Sequence, residues 1–380
     1  MKIVLVGEYS RLHNSLKEGL QHLGCTVILI STGDAFKNYP SDLKLATTFR
    51  SKLGHLAARA VYKISGWDIE KSYVGWQAWK TIKHQQDVAC YQFINQDPFE
   101  TAPYWTKKII KTIKKQGASL VLLACGDDTV VIDSNLSGGV RYSPLTPYLE
   151  NPNLKKHYQF ALKYQKNSFR KLHALLEKEC KAIVASDFDY VIPYKNRIKF
   201  EGLIPNPINV DQIPFTPLQA QDKVVIFLGI NQGNAVRKGI SYFKEALQEI
   251  ETRYANRVTI IKVQNLPYNS YIHYLSKATI VLDQVYSYDQ GYNALEAMAM
   301  GKVVFTGAET EFLDHYQLTE DDVCIAAKPD VAYLTAKLSE LIENPHKLEI
   351  ISKNAREFIE KHHDYKRVAL QYLEHYKRIN

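Results

Sequence analysis

A chain of 380 residues, 46% hydrophobic and 23% charged, is too apolar for a disordered protein and long enough for two domains of ordinary size. No apolar run approaches the roughly 20 residues that span a bilayer, which excludes a membrane-spanning helix. Five cysteines, none in a C-x-x-C pair, give neither a disulfide framework nor a structural zinc site.

The net charge of +8 is unevenly spread: residues 1–205 hold 29 Lys and Arg against 18 Asp and Glu, and residues 206–380 hold 19 against 22. A basic first half and a mildly acidic second half point to different partners. The clusters Lys107-Lys108-Ile-Ile-Lys111-Thr-Ile-Lys114-Lys115 and Lys155-Lys156-His157 suit an anionic surface or a phosphorylated acceptor, or else a solvated helix face. With no interleaving of aromatic and basic residues, nucleic acid is not an expected partner.

The N-terminus, MKIVLVGEYS, has one Lys and a short apolar run that enters a glycine turn at once, so it reads as a buried strand rather than a signal peptide, and the cytoplasm is the expected compartment. Further apolar runs at 25–31, 90–95, 119–125 and 182–186 read as strands covered on both faces. Helical spacing lies between them at 15–23, 104–115 and 158–179. The second half repeats this grammar, with strands at 224–229, 258–263, 279–285, 302–307 and 323–326. Its helices are expected at 239–253, 269–277, 291–300, 330–343 and 346–361. Alternating strands and helices imply parallel sheets, and two such sets imply two Rossmann-like domains facing a cleft. The expected division is 1–205, 206–364 and a terminal helix over 365–380, with the seam at Ile204-Pro-Asn-Pro-Ile208. Residues 45–85, with Trp67, Trp76 and Trp79, fit neither set and are expected as an insertion near the cleft mouth.

One segment is richer in chemistry than the rest: Asp283-Gln-Val-Tyr-Ser-Tyr288-Asp-Gln-Gly291-Tyr292-Asn293-Ala-Leu-Glu296-Ala-Met-Ala-Met-Gly301. A strand ends, a turn follows, and a helix begins near Gly291, where free N–H groups form an anion site and glycine admits close approach. Glu296 falls in the first two turns, where a carboxylate can accept hydrogen bonds from two vicinal hydroxyls. The plain alternative is a strand–turn–helix unit with a surface glutamate. In the first half, Gly7-Glu-Tyr-Ser10-Arg11-Leu-His13 opens the first helix. Asn95-Gln-Asp97 and Gly126-Asp127-Asp128 follow strands and are expected to line the cleft, although an N-cap role would equally explain an aspartate pair.

The run Leu-Glu296-Ala-Met-Ala-Met-Gly301-Lys-Val-Val resembles the signature of the retaining family-four glycosyltransferases, which have the GT-B fold. Val224–Gly229 followed by Arg237-Lys238-Gly239 resembles that family's strand, glycine and basic loop. The seam at 204–211 and His362-His363-Asp364-Tyr365 resemble its linker and its returning terminal segment. The resemblance implies a metal-independent hexosyltransferase without a cofactor, using a nucleotide-diphosphate sugar as co-substrate and a glycan or lipid-linked acceptor, in surface polysaccharide or lipopolysaccharide assembly. It implies that Arg237 and Lys238 offset charge on the leaving diphosphate. Gly229, Tyr288, Gly291, Tyr292, Asn293 and Glu296 would bind the donor, with Glu296 on its ribose. Ser10, Arg11, His13 and Asp127 are the candidates for an acceptor or phosphate loop. The family's first acidic residue falls on Tyr288, with Asp289 beside it, and this departure leaves the transferred sugar open. Two other readings stand beside this one: a nucleotide-sugar epimerase of the same fold, and a non-catalytic nucleotide- or glycan-binding scaffold.

Overall fold

The computed structural model describes residues 1–34, 37–48, 52–65, 68–218 and 223–380. The first half supplies seven strands: β1 (Lys2–Val6), β2 (Thr26–Ser31), β3 (Leu43–Lys44), β4 (Cys90–Phe93), β5 (Ser119–Ala124), β6 (Ala182–Ala185) and β7 (Phe200–Leu203). They form one sheet in the order β3-β2-β1-β4-β5-β6-β7. The second half supplies β8 (Val224–Ile230), β9 (Val258–Gln264), β10 (Ile280–Leu282), β11 (Val303–Thr306) and β12 (Ile325–Ala326), in the order β12-β11-β10-β8-β9. The strands of both sheets pair in parallel. Parallel strands need crossover helices, which cover both faces and explain why the central strands read as unbroken apolar runs. Two strands escaped the sequence pattern. Leu43 and Lys44 are both exposed, and Phe200–Leu203 is half-exposed with a glycine inside, so neither carries an apolar run.

One further expectation is sharpened and one needs correction. Within residues 45–85, the helix Ile69–Lys83 belongs to the helical layer of the first sheet. The helix Ile69–Lys83 lies against the helix Pro103–Gln116, where Trp79 donates to Thr112 at 3.1 Å and the Lys108 ammonium stands 3.7 Å over the Trp79 ring. Val74, Ala78 and Ile82 join the core on that face of the first sheet. Trp67 lies outside the described residues. The single helix expected over 158–179 is broken into Gln159–Leu162, a tight turn at Lys163–Gln165 and Asn167–Glu179. The extended backbone of Lys166 makes the break, and Lys163 reaches the buried carboxylate of Asp97 at 3.0 Å.

The last helix, Tyr365–Ile379, returns to the first sheet and packs on the helix Leu12–His22. Gly19 makes this possible: a Cβ there would stand 2.6 Å from Ala369 Cβ and closer still to the Tyr365 carbonyl oxygen. Tyr376 donates to Gln92 of β4 at 2.6 Å. Where the chain crosses between the lobes, it is stitched to the linker. Ile208 N–H donates to the His363 carbonyl at 2.7 Å and Tyr365 N–H to the Ile208 carbonyl at 3.0 Å.

Candidate functional site

The two sheets face one another across a cleft formed where β5, β6 and β10 end. Two cavities lie in it. The larger, about 420 Å³, is lined by Arg11 and Ser15 from the first lobe, by Asn209 and Gln212 of the linker, and by Ile272, Tyr292 and Glu296 from the second. The smaller, about 150 Å³, is lined by Asp127, Asp187 and Asp189 on one side and by Arg237, Gln284, Tyr288 and Gly291 on the other. The helix Tyr292–Ala299 stands between them: Gly291, its N-cap, borders the smaller cavity, and Tyr292 and Glu296 border the larger.

Glu296 is 6% exposed, on the helix face that turns towards Arg11. Burial works against the Arg11 guanidinium, but Glu18, Tyr292 and Glu296 together outweigh it, so Arg11 holds its charge more firmly than usual. Arg11 also donates to Glu18 at 2.9 Å and to Gln212 at 2.7 Å, which ties the first lobe to the linker. This corner therefore offers an acidic and a basic group side by side, suited to a polar, hydroxyl-bearing ligand.

Across the smaller cavity, Arg237 donates to Asp127 at 2.8 Å and lies under the Phe160 ring, 4.8 Å from its centroid. Burial opposes the guanidinium charge and Asp127 more than restores it. Lys238 is 2.6 Å from Asp283 at the end of β10 and borders neither cavity. The expected aspartate pair divides its labour. Asp127 enters the cleft, while Asp128 is fully buried, caps the helix Thr129–Leu136 through Val131 N–H at 2.8 Å, and takes a bond from the Tyr194 hydroxyl. Asn95 and Asp97 do not line either cavity; Asn95 braces the loop through the Cys125 and Asp127 carbonyls at 2.8 and 3.1 Å.

Four other candidates are placed elsewhere. His13 is fully buried, its Nδ1 bonded to the Gly7 carbonyl at 2.8 Å and its Nε2 taking the Gln92 amide at 3.2 Å. Burial pushes its pKa down to about 4, so it is a neutral structural link. Ser10 accepts from Lys37 at 2.7 Å and donates its amide to Asp34 at 2.8 Å, away from both cavities. Gly229 faces Tyr271 and the Phe227 ring rather than open space. Asn293 is exposed and lines neither cavity. Tyr292 does line the larger cavity, but its hydroxyl is engaged by Ser15 at 2.7 Å and by the Pro207 carbonyl at 2.6 Å.

The lobes are clasped by Asp189 and Arg141, which sequence reasoning passed over, and by Asp289, which it noted only as the neighbour of Tyr288. Asp189 of the first lobe accepts from Tyr288 N–H at 2.9 Å and from the Ser287 hydroxyl, and Asp289 of the second accepts from Phe188 N–H at 3.1 Å. Burial raises Asp189 to about 6 and Asp289 to about 7. Arg141 adds a second tie, pairing with Glu309 at 2.9 Å and Glu311 at 2.7 Å, and its backbone N–H donates to the Tyr288 hydroxyl at 2.6 Å. The signal for Asp187 and Asp189 was in the sequence: they follow a buried parallel strand as Asp127 does, at the edge where such sheets bind ligands.

Comparison with known proteins adds to this geometry. No curated protein sequence matches the chain significantly. Residues 237–374 match the family model described as glycosyl transferase-like. Among solved structures, the sucrose-phosphate synthase of Thermosynechococcus elongatus superposes with a TM-score of 0.63 at 14% identity, over 100% of this chain and 99% of that one. Anabaena HepE, in complex with UDP and glucose, gives 0.59 at 12% identity over the whole of both chains. The UDP-GlcNAc 2-epimerase of Neisseria meningitidis, bound to UDP-GlcNAc, gives 0.52 at 12% identity, again over both whole chains. The chain thus has the GT-B fold, and its residues 237–374 carry a glycosyl transferase-like sequence.

Proposed function

We propose that the chain is a glycosyltransferase that moves a sugar from a nucleoside-diphosphate donor, with uridine as the favoured nucleoside, to a hydroxyl of a glycan or lipid-linked acceptor. The observation that carries this reading is Glu296, a nearly buried carboxylate in the wall of the larger cavity, on the same helix whose start at Gly291 borders the smaller one. On this reading the ribose lies against Glu296 and the diphosphate at the helix start, where free N–H groups and the helix dipole favour negative charge. HepE, which shares the fold, was solved with UDP-glucose, and this supports the choice of uridine.

Arg237 and Lys238 are held at rest by Asp127 and Asp283. A diphosphate has more charge and more acceptor oxygens than one carboxylate, so it competes for both cations as its leaving oxygen becomes more negative. The acceptor hydroxyl then attacks on the face the diphosphate leaves and passes its proton to the departing phosphate oxygen, giving retention without a protein nucleophile, a cofactor or a metal. The clasped lobes keep water from the donor. We assign the product to surface polysaccharide or lipopolysaccharide assembly, at the inner face of a membrane.

Thermal-shift screening against UDP-glucose, UDP-N-acetylglucosamine, GDP-mannose and CMP-sialic acid tests the reading. At least one should raise the melting temperature, and Glu296→Ala should abolish that rise. A shift that survives the substitution sinks the ribose assignment. The likeness to the 2-epimerase keeps a second reading in play, and it is distinguished by incubating the donor alone, where the transferase yields no sugar isomer.

A further inference from the structure

We infer that the Asp187 carboxyl is the hydrogen-bond partner of a pyranose hydroxyl seated in the smaller cavity, an inference that rests on the glycosyltransferase reading. Asp187 follows β6 and is 9% exposed, yet one of its oxygens, Oδ1, has no hydrogen-bond partner. The other accepts from the Ser186 hydroxyl at 3.1 Å. Asp187 occupies the N-cap position of the helix Phe188–Tyr194, and the Asp189 amide faces the carboxyl without completing a capping bond. Buried polar atoms are nearly always satisfied, and an unpaired carboxyl oxygen on a residue that lines a cavity marks a place where a ligand can supply the missing donor.

The cavity suits a sugar. Its volume, about 150 Å³, is on the order of one six-membered ring. Its walls are polar and offer several acceptors: Asp127, Asp187, Asp189, Asn135 and Gln284. Every hydroxyl of a sugar carries one donor, and carboxylates accept such donors better than amides or hydroxyls do. Two of these carboxylates are engaged in the resting protein: Asp127 pairs with Arg237, and both oxygens of Asp189 are taken by Ser287 and the Tyr288 amide. The Tyr288 hydroxyl accepts from Arg141 N–H. Glu8 also has an open buried oxygen, but it borders neither cavity of the cleft. Burial, with Asp189 and Asp289 nearby, raises the Asp187 pKa well above the usual carboxylate range, and a hydroxyl donating to Oδ1 would act in the opposite direction by favouring the ionised form.

The hydroxyl can belong to the transferred sugar or to the acceptor sugar, and titration calorimetry on the full chain separates them. The first arm compares UDP with UDP-glucose and UDP-N-acetylglucosamine. The second titrates methyl glucoside and methyl galactoside into protein saturated with UDP. Asp187→Ala should leave UDP affinity within about twofold and lower affinity roughly tenfold in one arm. A loss in the first arm places the donor sugar in the cavity, and a loss in the second places the acceptor there. Asp187→Asn, which keeps an acceptor oxygen and sheds a buried charge, should melt no lower than wild type and lose affinity only by roughly threefold. It carries the comparison if the alanine variant does not fold. Unchanged affinity in both arms, for both variants, overturns the inference while leaving the parent reading intact. Wild-type protein that binds none of these nucleotides overturns the parent reading, and this one with it.

Discussion

Asp289 is nearly buried in the clasp between the lobes, where it accepts N–H bonds from Phe188 and Gln290 with Asp189 close by. Burial is the largest effect on it and raises its pKa from 3.8 to about 7; the two N–H donors pull the other way. The sign of its contribution follows. Below the unfolded value the group is protonated in both states and its burial is not penalised. As pH rises towards 7 the unfolded chain ionises readily and the folded one resists, so stability is lost across that window and then levels. The melting temperature of Asp289→Asn relative to wild type should therefore climb between about pH 4 and pH 7 and stay level above. A difference that is flat over the window would show that Asp289 does not titrate in the clasp. At this scale the sequence made Glu296 and Gly291 legible, because a helix start with a carboxylate on its second turn is a local pattern. It misjudged His13, whose neutral burial depends on Gln92 and Tyr376 arriving from two distant segments beside the local Gly7 carbonyl.

Helix packing sets the next level. Gly19 lies in the helix Leu12–His22, where alanine is intrinsically better by about 1 kcal/mol. Propensity alone predicts that Gly19→Ala stabilises. Contact with the returning helix predicts the reverse, since the added methyl meets the Tyr365 carbonyl and Ala369, and backbone cannot yield as a flexible side chain does. We expect a net loss of about 1–3 kcal/mol in urea denaturation, with overpacking the larger effect. A more stable variant would mean that the terminal helix does not seat on this face. Elements with strong apolar periodicity were legible in advance, most strands to within about one residue at each end. The breaks were not: nothing local to 158–179 announces the extended backbone of Lys166 or the pairing of Lys163 with the distant Asp97.

On the scale of the whole molecule, the basic first half resolves into a surface. Tyr104 and Trp76 are exposed beside Lys80, Lys83, Lys111 and Lys115 on the adjoining helices Ile69–Lys83 and Pro103–Gln116, with Lys108 packed over Trp79. No helix among the described residues is long and apolar enough to cross a membrane. Packing of the two helices thus interleaves lysines with aromatic rings, which the sequence analysis did not anticipate, and this suits the interface of an anionic leaflet, where each basic side chain contributes about 1 kcal/mol. Co-sedimentation with vesicles about one-third phosphatidylserine should fall roughly tenfold or more in Lys111→Ala/Lys115→Ala, and should weaken with salt. Equal binding to neutral vesicles would remove the membrane from the account. The sequence by itself determined the two sets of parallel strands and the glycosyl transferase-like run around Glu296, because each is written in contiguous residues whose periodicity or turn chemistry acts locally. Only the tertiary structure decided which carboxylates face the cleft, that Asp127 holds Arg237, that Asp189 and Asp289 clasp the lobes, and that Asp187 keeps an open oxygen. These partners lie up to about a hundred residues apart, and a hydrogen bond has no sequence signature until the chain has folded and brought its donor and acceptor within reach.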